Sequence, residues 1–180
     1  MKFRLTVRDL EPTDLTDLDW SGGVEHQRAL AEALQDSWEG LRTVLVIALA
    51  NGRLVAVGSV SFPPDSDVGV LTMLSVHEHL QSLGLGTRLV VALEKRTRAH
   101  GRSRTQLAVE HDNPRAAALY RRLGYREVGS RVEHWPVAGG RTYVTVSTVL
   151  ERDLPDPPRP PDNGSSPAVS SPSAPRPAES

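Results

Sequence analysis

Residues 71–87 read LTMLSVHEHLQSLGLGT, and the rest of the chain is organised around this stretch. Leu71, Met73, Leu74 and Val76 form an apolar, β-compatible run that predicts a buried strand over 68–76. A polar connector, His77-Glu78-His79, leads to Gln81-Ser82-Leu83-Gly84-Leu85-Gly86, and Thr87 to Leu93 then carries apolar residues at helical spacing. A strand, a glycine-spaced loop and a helix start suit the holding of a phosphate. Glycine lets backbone approach an anion closely, and the free N–H groups of a first helical turn point at it along the helix dipole. The plainer reading is that these glycines only make the turn. A dinucleotide fingerprint would need glycine at position 89, which is Leu89, and a P-loop would need Gly-Lys-Ser/Thr, which is absent.

Further along, residues 113–125 read NPRAAALYRRLGY. Asn113 is a helix cap with Pro114 at the first position, where a missing N–H is harmless. Ala116, Leu119, Tyr120 and Leu123 fall on one core-facing stripe, and Gly124 closes the helix. The two segments, in this order, resemble the GNAT superfamily of N-acetyltransferases. Its pattern is Gln/Arg-x-x-Gly-x-Gly/Ala followed by Asn…Ala…Leu-Tyr-x-x-x-Gly-Phe/Tyr, matched here from Gln81 to Gly86 and from Asn113 to Tyr125.

That resemblance implies acetyl-CoA as co-substrate and an amine as acceptor. Leu74, Ser75 and Val76 would pair by backbone with the pantetheine arm, in a gap between two splayed parallel strands. Gln81, Ser82, Leu83, Gly84, Leu85, Gly86 and Thr87 would cradle the diphosphate. Asn113 would lie near the pantetheine arm besides capping its helix. Tyr120 would protonate the departing CoA thiolate, although its ring also fits plain core packing. The resemblance stops at the general base: the strand over 68–76 contains no acid, and Ala108 stands where one branch of the family carries Glu. Glu78, Glu110, His111, Glu133, His134 or an ordered water remain as candidates.

The other elements follow by pattern. Phe3 to Val7 alternates as a first strand, and Leu10 to Asp14 turns into a helix capped by Thr13 or Asp14. A second helix carries Leu30, Leu34 and Trp38. Thr43 to Ala50 and Arg53 to Phe62 flank Asn51-Gly52, a strong hairpin signal. A helix over 86–100 ends at Gly101, and Thr105 to Val109 is a strand parallel to 68–76. Tyr125–Ser130 and Thr142–Leu150 form a closing hairpin with Ala138-Gly139-Gly140 at its tip. The expected fold class is therefore α/β (α+β): a mixed, mostly antiparallel central sheet of six to seven strands, a splayed parallel pair and flanking helices. This domain spans 1–153. Nine of the residues 155–180 are proline, so 154–180 is expected to be a disordered Pro/Ser-rich tail.

The chain has 180 residues, 38% hydrophobic content, no cysteine and a net charge of −1. Disulfides, thiolate metal sites and a cysteine nucleophile are excluded. No apolar run is long enough to span a bilayer and no signal-peptide segment is present, so the expectation is a cytoplasmic protein with no membrane partner. The charge is uneven. Residues 9–39 hold nine acids against Arg28, whereas 88–126 hold ten bases against Glu94, Glu110 and Asp112. A basic half suits a polyanionic co-substrate, and an acidic wall suits a cationic acceptor. Nucleic-acid binding is not expected, since interleaved aromatics and overall basicity are lacking. The reaction would be direct acetyl transfer from acetyl-CoA to an amine in a ternary complex, with no metal. The alternative is a catalytically silent CoA-binding or regulatory module on the same fold. Monomer and homodimer are equally compatible with the sequence.

Overall fold

The computed structural model describes residues 4–156. The chain runs β1 (Leu5–Asp9), a 3-10 helix (Pro12–Ser21), α1 (Val24–Trp38), β2 (Arg42–Leu49), β3 (Leu54–Ser61), β4 (Val68–Val76), a 3-10 turn (Glu78–Leu80), α2 (Leu85–Ala99), β5 (Arg104–Glu110), α3 (Pro114–Arg122), β6 (Arg126–Val137) and β7 (Arg141–Asp153). The seven strands form one sheet in the order β1-β2-β3-β4-β5-β7-β6, with β4 and β5 its parallel pair and the rest antiparallel. This is the mixed sheet with flanking helices that the pattern of elements implied.

The unbroken apolar run of β2 is explained by burial on both sides, which removes the usual alternation. Leu45 and Ile47 face a cluster with Leu85, Leu89 and Leu93 of α2 and Tyr120 of α3. Val44, Val46 and Ala48 face Leu18 of the 3-10 helix and Leu30, Ala33 and Leu34 of α1. The sheet is thus sandwiched between α2/α3 and the 3-10/α1 pair.

Several details differ from the sequence expectations. The first helical segment is a 3-10 helix, and its cap is Glu11 rather than Thr13 or Asp14. Asp14 instead takes the Arg8 guanidinium at 2.6 and 2.8 Å and accepts the Glu11 N–H at 2.8 Å. The first strand begins at Leu5; Phe3 lies outside the described residues. The closing hairpin is far longer than expected, because β6 and β7 stay paired from Arg126↔Glu151 out to Val137↔Arg141. Val132, Val144 and Val146 remain exposed along it. Leu154, assigned to the tail by composition, is 7% exposed, and its N–H bonds the Ser103 carbonyl at 2.8 Å. Asp156 reaches Arg98 at 2.7 Å. The rest of the expected tail, 157–180, lies outside the described residues.

Candidate active site

The middle of β4 departs from regular strand geometry. Its register with β3 runs Val70↔Ser61, Leu71↔Val60 and Thr72↔Ser59, then jumps to Ser75↔Val57 and Val76↔Ala56. Met73, inside the jump, has φ +56°, a left-handed conformation that unbranched side chains adopt rarely. A bulge of this kind reverses the side-chain alternation. Met73 packs with the α1-side cluster, whereas Leu74 and Val76 join the α2-side cluster alongside Leu71. Room for Leu74 comes from Gly58, where a Cβ would lie 2.7 Å from Leu74 Cδ2.

On its other edge, β4 pairs with β5 only at Val68↔Arg104, Gly69↔Thr105 and Val70↔Gln106. Beyond that the strands diverge, while β5 continues along β7 from Arg104↔Asp153 to Glu110↔Ser147. A cleft of about 360 Å³ opens where they part, a volume in the range of small-molecule sites.

The loop above this cleft brings two left-handed residues together, Ser82 at φ +66° and Gly84 at φ +80°. Gly84 is the cap position of α2 and no side chain caps that end. The first α2 turn closes with Arg88 N–H on the Gly84 carbonyl, so the amides ahead of it lack intrahelical partners. Gly86 meets a different demand: a Cβ there would come within 3.2 Å of Leu119 Cδ2.

Asn113 caps α3 as expected, its side chain accepting the Ala116 N–H at 3.1 Å. Tyr120 is the buried member of the α3 stripe and stands edge-on to Tyr125 at 5.8 Å. Burial pushes the Tyr120 hydroxyl up to about 12, which keeps it protonated at neutral pH. Tyr125 is fixed from behind. Its hydroxyl donates to Glu94 at 2.9 Å and shares a hydrogen bond with Thr105 at 2.9 Å, and Arg152 meets the same Glu94 carboxylate at 3.0 Å. Burial, with the Glu94 charge beside it, raises this hydroxyl as well.

Eleven of the twelve residues singled out from the sequence line the cleft: Leu74, Ser75, Val76, Gln81, Ser82, Gly84, Leu85, Gly86, Thr87, Asn113 and Tyr120. Leu83 does not. It is 55% exposed and points away, because the left-handed turns on either side rotate its side chain outward. Of the lining residues not singled out from the sequence, two are charged, Arg115 and Arg122. Arg115 donates to Gln81 Oε1 at 2.9 Å and to the Ser82 hydroxyl at 2.5 Å, tying the first turn of α3 to the loop. The available signal was a cation in the first helical turn, where the dipole disfavours it without an anion nearby.

A second cavity, of about 460 Å³, lies against the same strand and is lined by Trp20, Ser21, Leu74, Ser75, Val76, His77, Glu78 and Gln81. The Ser75 hydroxyl donates to the Ser21 carbonyl at 3.4 Å, linking β4 to the 3-10 helix. Of the candidate bases only Glu78 borders this cavity. Glu110 accepts from the Tyr143 hydroxyl, Glu133 is taken up by Arg131 and Ser147, and His111 and His134 are exposed. Four of the nine N-terminal acids are also engaged elsewhere: Asp9 with Arg96, Asp14 with Arg8, Glu25 with Arg28 and Asp36 with Arg42.

Among the described residues no cluster of three or more His, Asp or Glu is arranged to hold a metal ion, and no helix is long and apolar enough to cross a membrane.

The fold has counterparts among solved structures. The E. coli ribosomal-protein-S18-alanine N-acetyltransferase superposes with a TM-score of 0.66 at 20% identity, covering 90% of this chain and 99% of that one. The spermidine/spermine N-acetyltransferase of Vibrio cholerae does so with a TM-score of 0.65 at 19% identity, covering 83% and 92%. In sequence, the mycothiol acetyltransferase of Saccharomonospora viridis is 31% identical over 114 residues, which are 59% of this chain and 37% of that protein. The chain thus matches little more than a third of that relative's length. The profile of the acetyltransferase (GNAT) family matches residues 9–125, from the end of β1 through the Gly84 loop and α3 to Tyr125, and the chain belongs to that family.

Proposed function

We propose that the protein transfers an acetyl group from acetyl-CoA to an amine by direct attack in a ternary complex. The observation that carries this reading is the meeting, in one cleft, of the uncapped α2 N-terminus, the split between β4 and β5, and the Tyr120 hydroxyl.

Each part suits one portion of acetyl-CoA. Free amides beside Gly84, with Thr87 and the Arg115 and Arg122 side chains, suit a diphosphate. The β4 backbone from Leu74 to Val76 has no β5 partner, so it suits the amide groups of a pantetheine arm, and Leu119 and Ala116 offer apolar walls. Tyr120 supplies a proton: being protonated across the neutral range, it donates to the sulfur as the thiolate departs. An amine nucleophile needs only positioning and deprotonation, so the reaction requires no covalent enzyme intermediate.

A cationic acceptor fits the surroundings of the second cavity, whose wall carries Glu78 and whose rim includes Trp20, next in sequence to Asp19. Opposite charge there raises the local concentration of a cation, an effect that added salt weakens. The domain reading assigns this activity to residues 1–153, with Leu154 and Asp156 joined to it through Ser103 and Arg98.

The test is calorimetric titration with acetyl-CoA, followed by enzyme-dependent free-thiol release in the presence of spermidine, alanine amide, lysine and aniline as a neutral amine. Saturable binding and amine-dependent thiol release are expected, with the cationic amines favoured at low salt. Binding of CoA without release from any amine would instead favour the silent CoA-binding module.

A further inference from the structure

At the second cavity, two buried nitrogens stand without hydrogen-bond partners among the described residues, Trp20 Nε1 and His77 Nδ1. The Trp20 and His77 rings lie 5.2 Å apart, tilted by 46°. The cavity they border shares Leu74, Ser75, Val76 and Gln81 with the first cleft, so the two open onto the same end of β4. An acetyl donor in one and an acceptor in the other would meet across that strand end.

We propose that the second cavity receives the acceptor amine and that the His77 imidazole takes its proton. This rests on the acetyltransferase reading above. Three observations select His77. The strand leading to it carries no acid between Val68 and Val76. Glu78, which also borders the cavity, has a side chain 79% exposed and turned to His79 at 3.4 Å. No carboxylate or carbonyl among the described residues holds His77 Nδ1, so the imidazole is not committed to another side chain. The other titratable groups around it are Glu78 and His79 of its own segment, with the His79 ring at 5.5 Å. The Trp20 indole packs on the imidazole and offers its face to a cation.

The proton balance closes. As the amine nitrogen bonds to the acetyl carbon and the carbon–sulfur bond breaks, one N–H proton passes to His77 and one proton passes from Tyr120 to sulfur. The products are an amide and a free thiol, and the two side chains re-equilibrate through solvent.

The experiment compares the parent with His77→Gln and His77→Ala, using acetyl-CoA with propylamine, spermidine and alanine amide. Both variants are expected to keep the parent melting temperature and acetyl-CoA affinity within about twofold, and to lose about 10²-fold or more in turnover. The acid limb of the parent pH–rate profile should disappear, and added imidazole should restore part of the His77→Ala rate. Independently of turnover, propylamine added to the parent without any thioester should shift the His77 Cε1–H resonance. Variants that stay within about threefold of the parent, keep the acid limb and ignore imidazole would overturn the role of His77 while leaving the acetyltransferase reading intact. A parent that does not bind acetyl-CoA would overturn that reading itself.

Discussion

Leu74 fills the space that Gly58 leaves empty: a Cβ at position 58 would stand 2.7 Å from Leu74 Cδ2, with Leu89 and Leu93 close behind at 3.0 and 3.2 Å. The missing side chain on β3 therefore sets the course of β4, since Leu74 follows the left-handed Met73 and forms a wall of both cavities. Gly58→Ala should push Leu74 outward into the cleft. Overpacking at such a site costs about 1–3 kcal/mol. A lower melting temperature is expected together with weaker acetyl-CoA binding by calorimetry; unchanged affinity in the folded variant would mean that Leu74 does not shape the ligand site.

The two loop glycines should respond differently. Gly84 has nothing within 4 Å of a Cβ but sits at φ +80°, where a branched side chain is strained. Gly86 is not at positive φ, but a Cβ there would crowd Leu119 at 3.2 Å. Gly84→Ala should cost about 1 kcal/mol in stability and re-aim the α2 amides. Gly86→Val should displace Leu119 and narrow the cleft. Both variants are expected to bind acetyl-CoA at least tenfold more weakly while keeping their circular dichroism. Arg115→Ala should weaken binding too, and should flatten its dependence on salt.

Tyr120→Phe removes one proton donor and keeps the ring that packs against Tyr125. Normal folding, near-parent acetyl-CoA affinity and a fall of about 10²–10⁴ in turnover are expected. Stopped-flow measurement of thiol release reads this directly. Turnover within about twofold of the parent would make Tyr120 a packing residue only.

Acid should loosen the N-terminal segment first. The hydrogen bonds from Arg8, and the Glu11 N–H, hold the Asp14 carboxyl below the usual carboxylate range, against the opposing effect of burial. A depressed folded value stabilises the protein above the unfolded value, about 3.9, and that contribution is lost as pH falls through the folded value. Urea midpoints measured near neutral pH and near pH 3 should therefore drop more for the parent than for Asp14→Asn. Equal drops would show that the pair adds no pH-dependent stability.

The order of elements, the Asn113 cap and the Gly84 turn were legible in the sequence because each depends on contacts within a few residues, and the parallel crossover into β5 because its hand is fixed even though its strands pair 36 positions apart. A cap bonds an amide three positions on, a left-handed turn favours glycine, and a strand–helix–strand crossover has one hand. The residues expected at the cleft came from the resemblance to the acetyltransferase family; by local pattern alone Leu74, Val76 and Tyr120 read as core. What only the tertiary structure decided involves partners far apart in the chain. The bulge at Met73 depends on Gly58, fifteen positions earlier, and on the α2 leucines behind it. Arg115 becomes part of the site by reaching Gln81 across 34 positions, and Tyr125 is anchored behind Tyr120 by reaching Glu94 across 31. Leu154 is buried and its N–H is bonded to the Ser103 carbonyl, 51 positions earlier, although its neighbours in sequence are prolines and acids. Trp20 and His77, 57 residues apart, become neighbours only when the 3-10 helix packs on β4, and nothing local in either segment encodes that contact.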